Sequence, residues 1–352
     1  MKKLFWLLPL LAIAVWVGCA SMQRMPYYNP DKPHHTKQGF LNNYIGPRRQ
    51  HTLDLLKWMW QRDWDRSQNI EFTLAENDPA YLKANRQDAT LTWIGHAAFL
   101  LQYRGVNILT DPHLSERASP LPFGEPKRWV APGLDFDELP HIEVVIISHN
   151  HYDSLDVETV RRLAAQEGGP PLFLVPLGLK DWFADLGIET VTELDWWESV
   201  QTQGMTFHAV PVQHFSARTP FDRNETLWAG WVMEAPDFRF FFMGDSGYSK
   251  DFADIGERFG SFDLAALAIG AYDPRWFMSM AHVDPEQAVQ IFQDINARYA
   301  VGMHWGTFKL TDEPMDEPPR RMAAARDAAG IAPERFFVMQ HGQTRRLDFL
   351  AR

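Results

Sequence analysis

Short apolar runs, cut by glycine and proline, set the rhythm of the chain from residue 89 onward. Residues 89–93, 99–103 and 106–110 are β-rich and split by Gly95 and Gly105, which predicts a three-stranded meander. Residues 143–147, Glu-Val-Val-Ile-Ile, read as a buried strand. Further strands are expected at 172–175, 205–212, 227–233, 239–243, 264–269, 299–303 and 336–339. Helical spacing recurs at 157–165 and 180–186. One helix start is unusually explicit: Asp284 as N-cap, Pro285 at the first helical position and Gln287 as capping-box partner, predicting a helix to about Ala297. Many strands mixed with helices predict an α/β fold of two packed sheets with helices outside.

The first 88 residues have a different texture. Met1-Lys-Lys followed by an apolar stretch to Val17 is too short to span a bilayer comfortably and reads as a secretory signal. It ends at Gly18-Cys19-Ala20, which resembles a bacterial lipobox with Trp16 where leucine is usual. The expected organisation is a lipoprotein signal at 1–18, a tether and wrapping arm at 19–87, and a single catalytic domain at 88–352. Cys19, the only cysteine, would be the lipidated residue of an exported protein. With no aspartate after it, the outer membrane facing the periplasm of a Gram-negative bacterium is the expected location. In the arm, the pair His34-His35 among prolines reads as an exposed linker pair rather than a metal site. Residues 53–64, with Leu55, Leu56, Trp58, Met59, Trp60 and Trp64, read as a helix packed on the core, since Lys57 and Arg62 are too few for a basic membrane face.

Composition narrows the function. At 45% hydrophobic and 13% aromatic with 14 Trp, the chain can bury a large core. Its formal net charge of −11 opposes binding to a polyanion, so a nucleic-acid substrate is disfavoured.

The chemistry concentrates where apolar runs end. Directly after 143–147 the chain reads Ser-His-Asn-His-Tyr-Asp-Ser, placing His149, His151 and Asp153 on one short loop. Imidazole and carboxylate groups suit Zn²⁺ where an open position remains for water. His214, Asp245 and His304 each follow another apolar run, so loops above a sheet bring six ligand-type residues together. Asp111, before Pro112, serves either the turn or the orientation of a ligand loop. His96, between Gly95 and Ala97, is expected to support that loop. His113, His141, His208 and His341 match no ligand motif and default to surface or structural roles. The proline-rich loop at 118–132 is expected to shape or cover the site.

The order HxHxD, His, Asp, His resembles that of the metallo-β-lactamase fold hydrolases. Within them the chain resembles the N-acylphosphatidylethanolamine-hydrolysing phospholipase D family and its bacterial relatives. The segments that carry this are Thr-Trp-Ile-Gly-His-Ala at 92–97, Glu-Leu-Asp-Trp-Trp-Glu at 193–198, Gly-Asp-Ser-Gly-Tyr at 244–248, Tyr-Asp-Pro-Arg-Trp-Phe at 272–277 and Met-His-Trp-Gly-Thr-Phe at 303–308. The resemblance implies an αββα four-layer sandwich and two zinc ions. It implies a first zinc held by His149, His151 and His214, a second held by Asp153 and His304, and Asp245 bridging both. In the family a histidine follows the aspartate; here it is Ser154, a poor zinc ligand, so the second site is expected to be weaker or completed by water. The implied reaction is attack of a metal-bound hydroxide on a phosphodiester at the membrane surface, releasing the headgroup of an N-acylated or related phospholipid. His282, just before the helix at 285, is the expected orienting or proton-transferring residue beside Asp153. The same fold also hosts hydrolases of amides and lactones. Ser154 alone motivates a third reading, a metal-compromised binding lipoprotein.

Overall fold

A computed structural model describes residues 25–45, 52–62 and 70–348. Residues 1–18, Cys19 and Trp64, on which several expectations fall, lie outside the described residues. Among the described residues no helix is long and apolar enough to cross a membrane.

The arm forms a small hairpin of β1 (His35–Thr36) and β2 (Gly39–Phe40), followed by α1 (Thr52–Gln61) and α2 (Pro79–Ala84). The meander is β3 (Thr90–Gly95), β4 (Ala98–Tyr103) and β5 (Val106–Thr110). Next come β6 (Val144–Ile146), α3 (Val157–Ala164), β7 (Leu172–Pro176), α4 (Lys180–Asp185) and β8 (Val191–Leu194). The second half runs β9 (Ser199–Thr202), β10 (Met205–Val210), β11 (Gly230–Ala235), β12 (Phe238–Phe242), α5 (Asp251–Phe259) and β13 (Phe262–Ala268). It closes with α6 (Arg275–Met278), α7 (Pro285–Asp294), β14 (Ala297–Met303), α8 (Glu317–Ala328), β15 (Phe336–Phe337) and β16 (Thr344–Arg346).

Two seven-stranded sheets result, ordered β16-β3-β4-β5-β6-β7-β8 and β15-β14-β13-β12-β11-β10-β9. Each is antiparallel in one half and parallel in the other. Two antiparallel steps restore direction, so β3, β5 and β6 run the same way, and so do β10, β12, β13 and β14. Every expected ligand follows the C-terminal end of one of these strands. This is why residues far apart in sequence meet at one edge.

The alternation of side chains explains the layers. In β4, Phe99, Leu101 and Tyr103 point into the core between the sheets, while Ala98 and Leu100 join the cluster under α3 and α4. In β6, Val144 and Ile146 face inward and Val145 and Ile147 outward, so the uninterrupted Val-Val-Ile-Ile run follows from burial on both faces, against the second sheet on one and against helices on the other. On the other side Phe252 of α5 and Ile291 and Phe292 of α7 cover the second sheet. The order is helices, sheet, sheet, helices: the metallo-β-lactamase αββα sandwich.

Three expectations need correction. The helix beginning at Pro285 ends at Asp294, because Asn296 turns with φ +51° and β14 starts at Ala297; the apolar Ile295 and Ala297 only prolong its stripe. His34 and His35 are buried, and both rings bond to Asp195, His34 Nε2 at 2.7 Å and His35 Nε2 at 2.8 Å, with His34 stacked on Trp196. The helix expected to pack on the core instead packs on α6 through Trp58, which stacks on Phe277 in a small cluster apart from the main core; Leu53, Leu55, Leu56, Met59 and Trp60 stay exposed, Trp60 at 91%.

Candidate metal centre

His149 and His151 leave β6 on a loop tied down on two sides. Arg218 Nη1 donates to the carbonyls of Asn150 (2.7 Å) and Leu155 (2.9 Å). Below, the buried Asp111 accepts from the Ser148 amide (2.6 Å) and hydroxyl (2.5 Å), and the Ser148 oxygen lies 2.8 Å from His149 Nδ1. This relay orients Nδ1–H of His149 outward and leaves Nε2 free for the centre. Burial pushes the Asp111 carboxyl well above the usual range, against the bonds from Ser148. Asp111 therefore supports the ligand loop as well as the turn.

His149 Nε2, His151 Nδ1 and His214 Nε2 converge, His151 Nδ1 lying 2.8 Å from His149 Nε2 and 3.2 Å from His214 Nε2. His214 is oriented by its own Nδ1–H, which donates to the Ala281 carbonyl at 2.9 Å. Asp245 Oδ2 completes this group at 3.8 Å from His149 Nε2 and 3.9 Å from His214 Nε2. Asp245 follows Gly244, whose φ of +63° and 2.6 Å approach of an added Cβ to Ser148 leave no room for a side chain.

A second group lies beside the first. His304 Nε2 is 3.0 Å from Asp245 Oδ1 and 3.5 Å from Asp153 Oδ2, and His96 Nε2 is 3.1 Å from Asp153 Oδ2. His282 joins Asp245 and His304, its ring centroid 5.3 Å from His214 and 5.5 Å from His304, with Nδ1 unpartnered. Ser154 is buried and its Oγ makes no aligned hydrogen bond; it is near enough to Asp111 only to stabilise that carboxylate weakly.

These residues fit metal ions better than one another. Both oxygens of Asp245 and both nitrogens of His304 are buried without an aligned hydrogen bond, although they stand 3.0 Å apart at the nearest. Atoms whose lone pairs aim at a common point are close without being aligned. In a tetrahedral site with bonds of about 2.0–2.1 Å, donors stand about 3.3 Å apart, near the spacings observed. The electrostatics agree. Burial alone would raise Asp153 and Asp245, yet His304 and His96 around the first, and His304 and His149 around the second, hold both well below the usual carboxylate range. Burial lowers His149 to about 3, and lowers His151 and His214, keeping the imidazoles neutral. His282 is lowered to about 4 by burial. His304 is raised to about 10 in spite of burial, because Asp245 and Asp153 demand a positive charge between them.

The structure thus brings together His149, His151, Asp153, His214, Asp245, His282 and His304, with His96 and Asp111 in direct support and Ser154 buried without an aligned hydrogen bond. Of the remaining histidines, His208 pairs with Glu234 at 2.8 Å, His141 Nδ1 meets the Glu167 carbonyl, and the buried His341 stacks on Trp93. His113 is buried with both nitrogens unpartnered. Sequence reasoning missed Arg218 and Asn42. Asn42 comes from the arm: its Oδ1 accepts from His214 N at 3.0 Å and its Nδ2 donates to His214 O at 2.9 Å. Arg218, four residues after His214, carries a weak local signal; Asn42 carries none.

Fold and donor set define a metal-dependent hydrolase of the metallo-β-lactamase superfamily, and residues 106–305 match the model of the beta-lactamase superfamily domain. Within it the chain belongs to the N-acyl-phosphatidylethanolamine-hydrolyzing phospholipase D family. It is 40% identical over 258 residues to N-acyl-phosphatidylethanolamine-hydrolyzing phospholipase D 1 of Caenorhabditis elegans, covering 70% of this chain and 72% of that one. An uncharacterized protein of Mycobacterium tuberculosis is 40% identical over 252 residues, covering 70% of this chain and 66% of the relative. Among solved structures, a metallo hydrolase from the archaeon Ignicoccus hospitalis superposes with a TM-score of 0.55 at 20% identity, over 74% of this chain and 98% of that one, which shows the shared fold.

Proposed function

We propose that the protein is a zinc-dependent phosphodiesterase of phospholipase D type, hydrolysing the headgroup bond of N-acylated or related phospholipids. In this reading His149, His151 and His214 would hold one zinc and Asp153 and His304 a second, with the Asp245 carboxylate in reach of both groups. When bound, such a pair supplies activated water and positive charge against phosphoryl oxygens. Asp111 and Ser148 fix the His149 ring, and Arg218 fixes the loop between His149 and Asp153. His282 stands beside both groups, its ring 5.3 Å from that of His214 and 5.5 Å from that of His304, where an imidazole nitrogen can hydrogen-bond the phosphoryl or leaving oxygen.

The observation that carries the substrate is the set of large apolar side chains left exposed on the elements next to the ligand residues. Leu121 and Phe123, Phe221, and Trp276 are exposed on the 118–132 loop, the loop after His214 and α6 before His282, and Trp60 and its neighbours are exposed on α1, which packs on α6. Full burial of a large apolar side chain is worth about 1.5–3 kcal/mol, and the five on α1, left between 41% and 91% exposed, forgo part of it, which contact with acyl chains would recover. A groove of about 530 Å³ opens beside Tyr152 and Leu155, walled by Arg117 and Arg218 with Leu121 at its lip. Lipidation at Cys19, following removal of residues 1–18, would keep the enzyme on the membrane that holds its substrate.

The test is turnover by the zinc-loaded full chain of vesicles containing N-acylphosphatidylethanolamine, beside a lactone and a β-lactam. Headgroup release that stops on chelation and returns with zinc supports the proposal. Turnover of the lactone with the phospholipid left intact overturns it in favour of an amide or lactone hydrolase.

A further inference from the structure

We infer that His96 is a fourth protein ligand of the second metal, binding through Nε2 alongside Asp153, Asp245 and His304. The inference deepens the metal-site reading proposed above and rests on it. Its ground is the turn that follows β3. His96 is held at φ +55° and His304 at φ +64°, both left-handed, and the amide of His304 donates to the carbonyl of His96 at 3.0 Å. Two strained turns from different sheets are therefore joined back to back, a conformation that persists only where the surroundings enforce it. The His96 amide is fixed by Thr307 Oγ1 at 2.7 Å, and its carbonyl also accepts from Trp93 Nε1 at 3.0 Å.

The consequence is a pair of rings presented to one point. The centroids of His96 and His304 lie 3.9 Å apart, and both Nε2 atoms face the same oxygen of Asp153, at 3.1 and 3.5 Å. His96, Asp153 and His304 form a fully buried donor group with all ligand atoms within 4.8 Å of one another. The two rings also share a further trait: Nδ1 of each is buried and unpartnered. Phe308 packs edge-on against His96, with ring centroids 5.3 Å apart. At the position after Asp153, Ser154 offers only a buried hydroxyl. Asp153, Asp245 and His304 alone would give the second ion three protein ligands; His96 makes four, with neutral imidazole in place of the weak hydroxyl donor.

The competing role for His96 is to donate Nε2–H to Asp153 and orient it. Loss of such an orienting partner costs about 10–100-fold in metal affinity. Zinc affinity of the full chain and of the H96A, S154H and H96A/S154H variants, by chelator competition, separates the two. The expected result is two zinc ions per chain in the parent, a loss of more than 100-fold at the weaker site in H96A, and recovery in H96A/S154H. A loss within 100-fold, or a double variant no better than H96A, overturns the inference. Anomalous diffraction from the zinc-loaded parent, which needs no variant to fold, is expected to place His96 Nε2 about 2.0–2.1 Å from the second ion. A separation beyond 3 Å refutes it. Binding of two zinc ions without His96 would leave the phosphodiesterase reading standing, whereas binding of none would overturn both.

Discussion

Asn42 makes two hydrogen bonds to the backbone of His214, and its Oδ1 also lies 3.2 Å from Trp228 Nε1. Asn42→Ala removes these while leaving the ring of His214 untouched. Each bond contributes about 1 kcal/mol, and an unpaired peptide group in a dry site costs about 1–3 kcal/mol more. Asn42 is only half-buried, so water can replace part of what is lost, and Trp228 Nε1 keeps its bond to Val212 O at 2.8 Å. A net cost of about 2 kcal/mol follows. Expressed wholly in the position of His214, it corresponds to an affinity about 30-fold weaker at the first metal. Competition with a chelating dye on the full chain reads this directly. Asn42→Asp, which keeps the acceptor for the amide, should lose less. Affinity within twofold of the parent in Asn42→Ala, with residues 25–45 still protected from protease, would refute the idea that the arm braces the centre.

Two other perturbations probe the support of the site. Asp111→Asn removes the acceptor for the Ser148 hydroxyl, which can then donate to His149 Nδ1 and force the proton onto the nitrogen that faces the centre; zinc affinity should fall about 10–100-fold with the fold intact by circular dichroism. The carboxyl of Asp195 is held well below its ordinary value: burial raises it, but His34 and Lys32 outweigh burial. A carboxyl with a depressed folded value contributes stability present above its unfolded pKa of about 3.9 and lost as pH falls toward the folded value. Protection of residues 25–45 from hydrogen exchange should therefore weaken below about pH 4, and Asp195→Asn should flatten that dependence; an unchanged profile in the variant would point to other groups.

Much of the fold was legible because one face of each strand is buried while the other is buried or exposed in a regular pattern. Alternation in β4, the two-faced run of β6 and the Asp284-Pro285 start of α7 each encode their surroundings locally. The edge strands β9 and β16 escaped notice, since Ser199–Thr202 and Thr344–Arg346 are polar and half-exposed and are strands through pairing alone. Helix α8 opens on two prolines and buries little besides Pro318 and Met322, so no apolar stripe announces it. At the centre, the ligand-type residues could be read because each ends an apolar run. The places of His34, His35 and Asn42 could not, because their partners Asp195 and His214 lie on the far side of the chain and nothing near them in sequence reports that contact. His96 was legible as support for the ligand loop, but its approach to Asp153 depends on a left-handed turn that no residue preference dictates.

The central claim is that a phosphodiester bond is cleaved at phosphorus. Hydrolysis of N-acylphosphatidylethanolamine vesicles by the zinc-loaded full chain in ¹⁸O-labelled water, followed by mass spectrometry, tests it most directly. Water attacking phosphorus leaves its oxygen on phosphatidate and releases unlabelled N-acylethanolamine, the result expected here. Label in a free fatty acid with the phosphodiester intact, or no turnover at full zinc occupancy, would contradict it.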